Sequence, residues 1–223
     1  MKTLVKTLAL FITTTLFAQQ PIEKTVGEFS ELKVYDLIQV ELVKSNENKV
    51  IITGDNNEDV VINNKNGTLK IKMKLEEAYD GGNTKVILHY TTVDIIDVNE
   101  GAKVSSEDAI KQFEIDLKTQ EGAEITAVLK TSYANFRAVT GGIINITGSS
   151  KNQDISIYTA GVFNGENFIT EQTEVSINAA GEAYINATEN VDVRIKAGGD
   201  VYIYGKPKKV DESRVLGGRI KRM

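Results

Sequence analysis

Asp97 and Asp116 stand at the centres of two short alternating triplets, Ile96-Asp97-Val98 and Ile115-Asp116-Leu117. With the apolar neighbours turned inward, both carboxylates face outward. Aligning one triplet on the other sets them about 5 Å apart, the separation a retaining glycosidase needs between its acid and its nucleophile. The column continues through Arg137, Ser156, Ser176 and Arg194, the mixed charge of an ordinary solvated face. A polysaccharide-active enzyme using outward carboxylates is therefore the alternative reading, and a non-catalytic binding protein the main one.

The binding reading rests on tyrosines. Tyr184 and Tyr202 hold equivalent outward positions in Ala183-Tyr184-Ile185-Asn186 and Val201-Tyr202-Ile203-Tyr204, and Tyr204 falls in register with Asn186. A tyrosine offers a flat apolar ring with a polar tip, so Tyr184, Tyr202, Tyr204 and Asn186 form a candidate ligand site for a sugar ring or a partner surface. The competing explanation is that the rings cover the last repeats, where a stacked structure runs out of neighbours.

Other chemistry fails on residue type. There is one histidine, His89, on a strand opposite in phase to Leu88 and Tyr90, and there is no cysteine. No metal cluster, no nucleophile with its base, no phosphate loop and no dinucleotide glycine pattern can be assembled. Asp55-Asn56-Asn57-Glu58-Asp59 begins like a calcium loop. Val60 stands where such a loop needs glycine, and Asn66 where it needs a bidentate glutamate. No catalytic residue, metal or cofactor is expected.

The elements that carry these residues are strands. Ile38, Val40 and Leu42, then Leu69, Ile71 and Met73, then Val86, Leu88 and Tyr90 alternate with polar or second-face residues. Turn residues separate the runs, as in Asn64-Lys65-Asn66-Gly67 and Asp80-Gly81-Gly82-Asn83. Only Ser106 to Phe113 has room for a helical turn. From Asp94 the chain repeats, with Gly101, Gly122, Gly142, Gly161, Gly181 and Gly199 at intervals of 21, 20, 19, 20 and 18 residues. Each follows one short strand and most precede a second. The repeat at Gly161 is the weakest, because Val162-Phe163-Asn164-Gly165 breaks the alternation. Self-similarity at this period marks a solenoid, with glycine at the corner of every coil and Ile, Val, Leu and Ala stacked inside.

The first residues set the expected compartment. Lys2 and Lys6 precede an apolar run ending at Ala18, the pattern of a secretory signal peptide cut near that residue. The run is short and threonine-rich for a membrane anchor, and no transmembrane segment is expected in the mature chain. With Lys2 and Lys6 removed, the net charge moves from −5 to −7. An acidic body argues against nucleic acid as partner. The stretch 206–223 is basic, with Lys206, Lys208, Lys209, Arg214, Arg219, Lys221 and Arg222 against Asp211 and Glu212. The expected organisation is a signal peptide at 1–18, a β-rich N-terminal part at 19–93, solenoid repeats at 94–205 and a basic tail at 206–223.

Several stretches together resemble the head-GIN domain family of putative auto-transporter adhesins. Phe29-Ser30-Glu31-Leu32-Lys33-Val34 with Ile38-Gln39-Val40-Glu41-Leu42 is similar to the family's start. So is Val50-Ile51-Ile52-Thr53-Gly54-Asp55-Asn56 leading to Asn66-Gly67-Thr68-Leu69-Lys70-Ile71. The corners Gly101-Ala102, Gly122-Ala123 and Ala180-Gly181, and the close Val201-Tyr202-Ile203-Tyr204-Gly205-Lys206-Pro207, complete the match from about Val26 onward. The resemblance implies a right-handed parallel β-helix-like solenoid in an exported protein of Gram-negative bacteria, with no catalytic residues to carry over. The expectation is an all-β protein with coils of about 20 residues after an irregular β-rich N-terminal part. Its expected place is the periplasm or cell surface. Its expected partners are a glycan, a lipid or another envelope protein, and its open end allows a homo-oligomer.

Overall fold

The computed structural model describes residues 20–223, so the signal-peptide expectation at 1–18 lies outside the described residues. The chain is all-β, with about seven solenoid turns of ~19 residues. In chain order the strands are β1 (Ile22–Thr25), β2 (Glu31–Val34), β3 (Gln39–Lys44), β4 (Lys49–Gly54), β5 (Val60–Lys65), β6 (Thr68–Met73) and β7 (Thr84–Tyr90). Then come β8 (Ile95–Val98), β9 (Lys103–Lys111), β10 (Glu114–Thr119), β11 (Glu124–Lys130), β12 (Tyr133–Val139), β13 (Ile143–Tyr158) and β14 (Val162–Ile177). The last four are β15 (Glu182–Ala197), β16 (Asp200–Gly205), β17 (Lys209–Leu216) and β18 (Arg219–Arg222).

From β8 onward each coil has two walls. One wall stacks β8, β10, β12 and the second halves of β13, β14 and β15, then β17, all parallel. The other stacks β9, β11, the first halves of β13, β14 and β15, then β16 and β18, also parallel. The alternation places Ile115, Leu117, Ile155, Ile157, Val175, Ile177, Ile185, Val193, Ile195 and Ile203 inside, each at most 2% exposed. The weak repeat at Gly161 is a continuous strand after all. Phe163 turns inward and its ring meets Phe136 at 4.8 Å, with Phe168 5.8 Å from Phe136.

The N-terminal part adds two more coils, stacked out of chain order. β2 lies between β6 and β8, and β3 between β7 and β9, all parallel. Leu32 packs between Leu69 and Ile96, and Val40 between Val86 and Val104. β4 runs antiparallel to β7, β1 to β4 and β5 to β6, which makes this part irregular.

Three local readings change. Ser106 to Phe113 forms no helix; its extra residues are a bulge in β9, where Ser106 and Ile110 oppose Ala127 and Leu129. The glycines do not share one phase. Gly142, Gly161, Gly181, Gly199 and Gly218 each directly precede the residues that pair as Ile143, Val162, Glu182, Asp200 and Arg219. In this column Ala102 and Ala123 take the earlier places, while Gly101 and Gly122 stand one residue before, at φ 67° and 72°. From Gly142 onward the column excludes side chains because the coils nearly touch: a Cβ on Gly181 would lie 2.6 Å from the Gly161 carbonyl oxygen. Finally, the stretch 206–223 is not a loose tail. It pairs as β17 on β15 and β18 on β16, adding a coil.

Candidate functional site

The wall of β9, β11, β13, β14, β15, β16 and β18 carries an outward column in register: Ser105, Thr126, Asn145, Asn164, Tyr184, Tyr202 and Lys221. Hydrogen bonds tie it along the solenoid axis. Asn145 Nδ2 donates to Thr126 Oγ1 at 3.1 Å and to Glu124 Oε1 at 2.8 Å, and Asn164 Nδ2 donates to Asn145 Oδ1 at 2.7 Å. Tyr184 and Tyr202 follow, stacked with centroids 4.6 Å apart and planes 4° from parallel. Lys221 Nζ sits 5.1 Å from the Tyr202 ring centroid. The parallel register, which repeats one residue position at every coil, makes such a ladder.

The four residues expected at the site are brought together. Tyr204 pairs with Asn186 in register, beside the Tyr184–Tyr202 pair. Their exposure differs from the expectation of open rings. All four are half-buried, and the facing sides of Tyr184 and Tyr202 are used in the stack. Lys221 of the added coil lies over the Tyr202 ring, so the rings do not themselves form the end of the stack. The Tyr184 hydroxyl donates to Glu182 Oε2 at 2.8 Å. That bond to a carboxylate, helped by partial burial, pushes the Tyr184 phenol up to about 12. Asp200, beside Glu182 in register, is bound by Arg219 and held below the usual carboxylate range by that guanidinium.

The sequence reading missed the half of the column before Tyr184. Extending the offset from Tyr202 and Tyr184 backward reaches Asn164, Asn145 and Thr126. Beside them lies a hollow of about 460 Å³ bordered by Ser105, Thr126, Asn145, Asn164, Glu166 and Asn167. Asn186 joins the two parts, since its Nδ2 donates to the Glu166 carbonyl at 2.8 Å. Amides and hydroxyls with a tyrosine stack alongside can exchange hydrogen bonds with a hydroxyl-rich ligand.

The carboxylate pair behind the enzyme alternative does not form. Asp97 stands opposite Lys118, and Asp116 opposite Ile95. The β9 bulge lengthens that coil by two residues, so an alignment of triplet on triplet slips by two. Asp97 instead pairs with Lys33 at 3.2 Å, and Asp116 accepts from Asn135 Nδ2 at 2.8 Å. His89 is half-buried between Val43 of β3 and Lys49 of β4. The acidic loop near residue 55 spends its side chains locally: Asp55 accepts from Asn83, Asn56 donates to Asp80, and Asp59 pairs with Lys74 at 2.8 Å.

Residues 28–207 match the family described as "Putative auto-transporter adhesin, head GIN domain". The chain belongs to this head GIN family. Solved structures with the same fold include a putative adhesin from Bacteroides fragilis, 18% identical, with a TM-score of 0.84 over 92% of this chain and 98% of that one. A putative adhesin from Parabacteroides distasonis is 19% identical, with a TM-score of 0.75 over 92% of this chain and 96% of that one. A protein of the same species described as a putative lipid binding protein is 14% identical, with a TM-score of 0.69 over 92% and 96%. At these identities the likeness concerns the fold. No curated protein matches this head GIN chain. Among its described residues no helix is long and apolar enough to cross a membrane.

Proposed function

We propose that this head GIN protein is an exported, non-catalytic adhesin-type protein of the cell envelope that binds a glycan along the Thr126–Asn145–Asn164–Tyr184 column. One observation carries the reading: a hydrogen-bonded row of amide and hydroxyl groups runs along one wall beside a hollow and ends in a tyrosine stack. Sugar hydroxyls need donors and acceptors in alternation, and neutral amides supply both. Tyr184, Tyr202, Tyr204 and Asn186 form the C-terminal end of this surface, where a ligand meets ring edges and the Tyr204 hydroxyl rather than open ring faces. The family membership supports an adhesin-like role, and the register that sets Asp97 opposite Lys118 does not supply the in-register spacing of about 5 Å that a retaining glycosidase uses. The reading includes a signal peptide cut near Ala18 and a final place in the periplasm or on the cell surface.

A glycan array tests the ligand class. Wild-type protein should bind a subset of glycans. Asn145→Ala/Asn164→Ala should lose at least tenfold in affinity while remaining folded with a modestly lower thermal midpoint, and Tyr184→Ala/Tyr202→Ala should lose part of it. Undiminished binding in the asparagine variant would remove this surface from consideration. Protease shaving of intact cells with fractionation tests the location.

A further inference from the structure

The C-terminal edge of the solenoid is an open strand. β17 pairs with β15 on one side, and among the described residues no strand pairs with its other side. The Leu216 carbonyl turns back into the stack and accepts from the Gly198 N–H at 2.9 Å. Backbone polar groups alternate sides along a strand. Those of Val210, Glu212 and Arg214 therefore point back with Leu216, and those of Asp211, Ser213 and Val215 point off the end. Free N–H and C=O groups in a row are a template for another strand. β17 contains no proline to block it, and Val215 and Leu216 are each 72% exposed.

This edge is complementary to itself in one register. Antiparallel pairing about a two-fold axis through Ser213 sets Ser213 opposite its own copy and Asp211 opposite Val215, which are the positions whose backbone groups are free. At the intervening positions, where side chains approach most closely, Val210 meets Leu216 and Glu212 meets Arg214, each twice. A shift by two residues in one direction puts Glu212 against Glu212, and in the other direction Arg214 against Arg214. Only the register centred on Ser213 joins two apolar pairs to two opposite-charge pairs without a like-charge contact. The basic ends do not simply repel, because Arg219 is bound by Asp200 and Arg222 by Glu212.

We propose that the partner of this edge is a second copy of the chain, joined end to end through antiparallel β17 strands centred on Ser213. The product is a closed two-fold dimer, a solenoid of double length carrying its two polar columns on one rigid body. Such a dimer binds a repeated ligand with avidity beyond that of one column. The interface does not depend on what the columns bind, so it stands or falls apart from the glycan reading.

The chain contains no cysteine, which makes crosslinking a clean test. In the proposed register the two Ser213 Cα atoms lie about 5.5 Å apart, within disulfide reach. Ser213→Cys should give a disulfide-linked dimer under mild oxidation, while Asp211→Cys, displaced from the axis, should not. Sedimentation of the wild type should show a concentration-dependent dimer. Arg214→Glu should weaken it at least tenfold by facing the second copy's Glu212, while Glu212 keeps its own pairing with Arg222. Equal crosslinking of Ser213→Cys and Asp211→Cys, or a wild type that stays monomeric at all concentrations, would overturn the proposal.

Discussion

Glu212 and Arg222 meet at 3.1 Å across the last coil, in the columns where the coil before carries Val193 and Ile203. Val193 and Ile203 are apolar and buried, and in the next coil the same two columns turn charged. In a single copy, an ion pair at that point covers the end of the core and tolerates water.

Removal of the residues after Pro207 should therefore uncover Val191, Val193, Ile195, Val201 and Ile203, all now buried. It also deletes Val210 and Ile220, which pack on the core. The expected cost is about 4 kcal/mol from lost apolar burial. That corresponds to a fall of roughly 10 °C in thermal midpoint for a domain of this size. Differential scanning fluorimetry and light scattering should show the fall together with aggregation. A truncated protein with unchanged midpoint and no aggregation would show that the last coil covers nothing that matters.

The two kinds of corner glycine should respond differently to alanine. Gly122 has φ 72° and open space where a methyl group would stand, so Gly122→Ala should cost about 1 kcal/mol, the backbone penalty alone. At Gly181 a Cβ would lie 2.5 Å from Ile157 Cγ2 and 2.6 Å from the Gly161 oxygen, with φ 122°. Gly181→Ala should cost at least about 3 kcal/mol through strain and displaced neighbours. Chemical denaturation of both variants measures the difference; equal costs would contradict a close-packed glycine column.

Tyr184 should titrate late. Its phenol is raised to about 12 from an ordinary value near 10, first by the hydrogen bond to Glu182. A raised folded value means that the native state holds the proton more tightly than the unfolded chain does. The associated stability is complete below pH 10 and declines as the pH rises from 10 toward 12. Because the side chain is half-exposed, solvent screening keeps that contribution small. An ultraviolet tyrosinate titration should show one group ionising after the others, and Glu182→Ala should return it toward 10. No change in that variant would exclude the bond as the cause.

Strand phase was legible before the structure because burial alternates with period two, and each inward residue of the repeats is where the alternation places it. The pairing of Tyr184 with Tyr202 was legible for the same reason. Column membership at Asp97 and Asp116 was not, because the β9 bulge is set by how Ser106 and Ile110 face Ala127 and Leu129, which no local pattern announces. Gly101 and Gly142 looked equivalent because two demands, a positive φ and an absent Cβ, fall on neighbouring residues of one corner. The stretch 206–223 read as a tail because charge at its inward positions hides the alternation that Val210 and Ile220 begin.

The position of β2 and β3 has a consequence for the order of assembly. Their coil is closed on one side by β6 and β7 and on the other by β8 and β9, all of which come later in the chain. A polypeptide emerging N-terminus first cannot wind this protein up turn by turn. Leu32 and Val40 first find partners in Leu69 and Val86, and their second flanks stay open until Ile96 and Val104 have arrived. Such distant closures make folding slow and leave the waiting strands prone to mispairing.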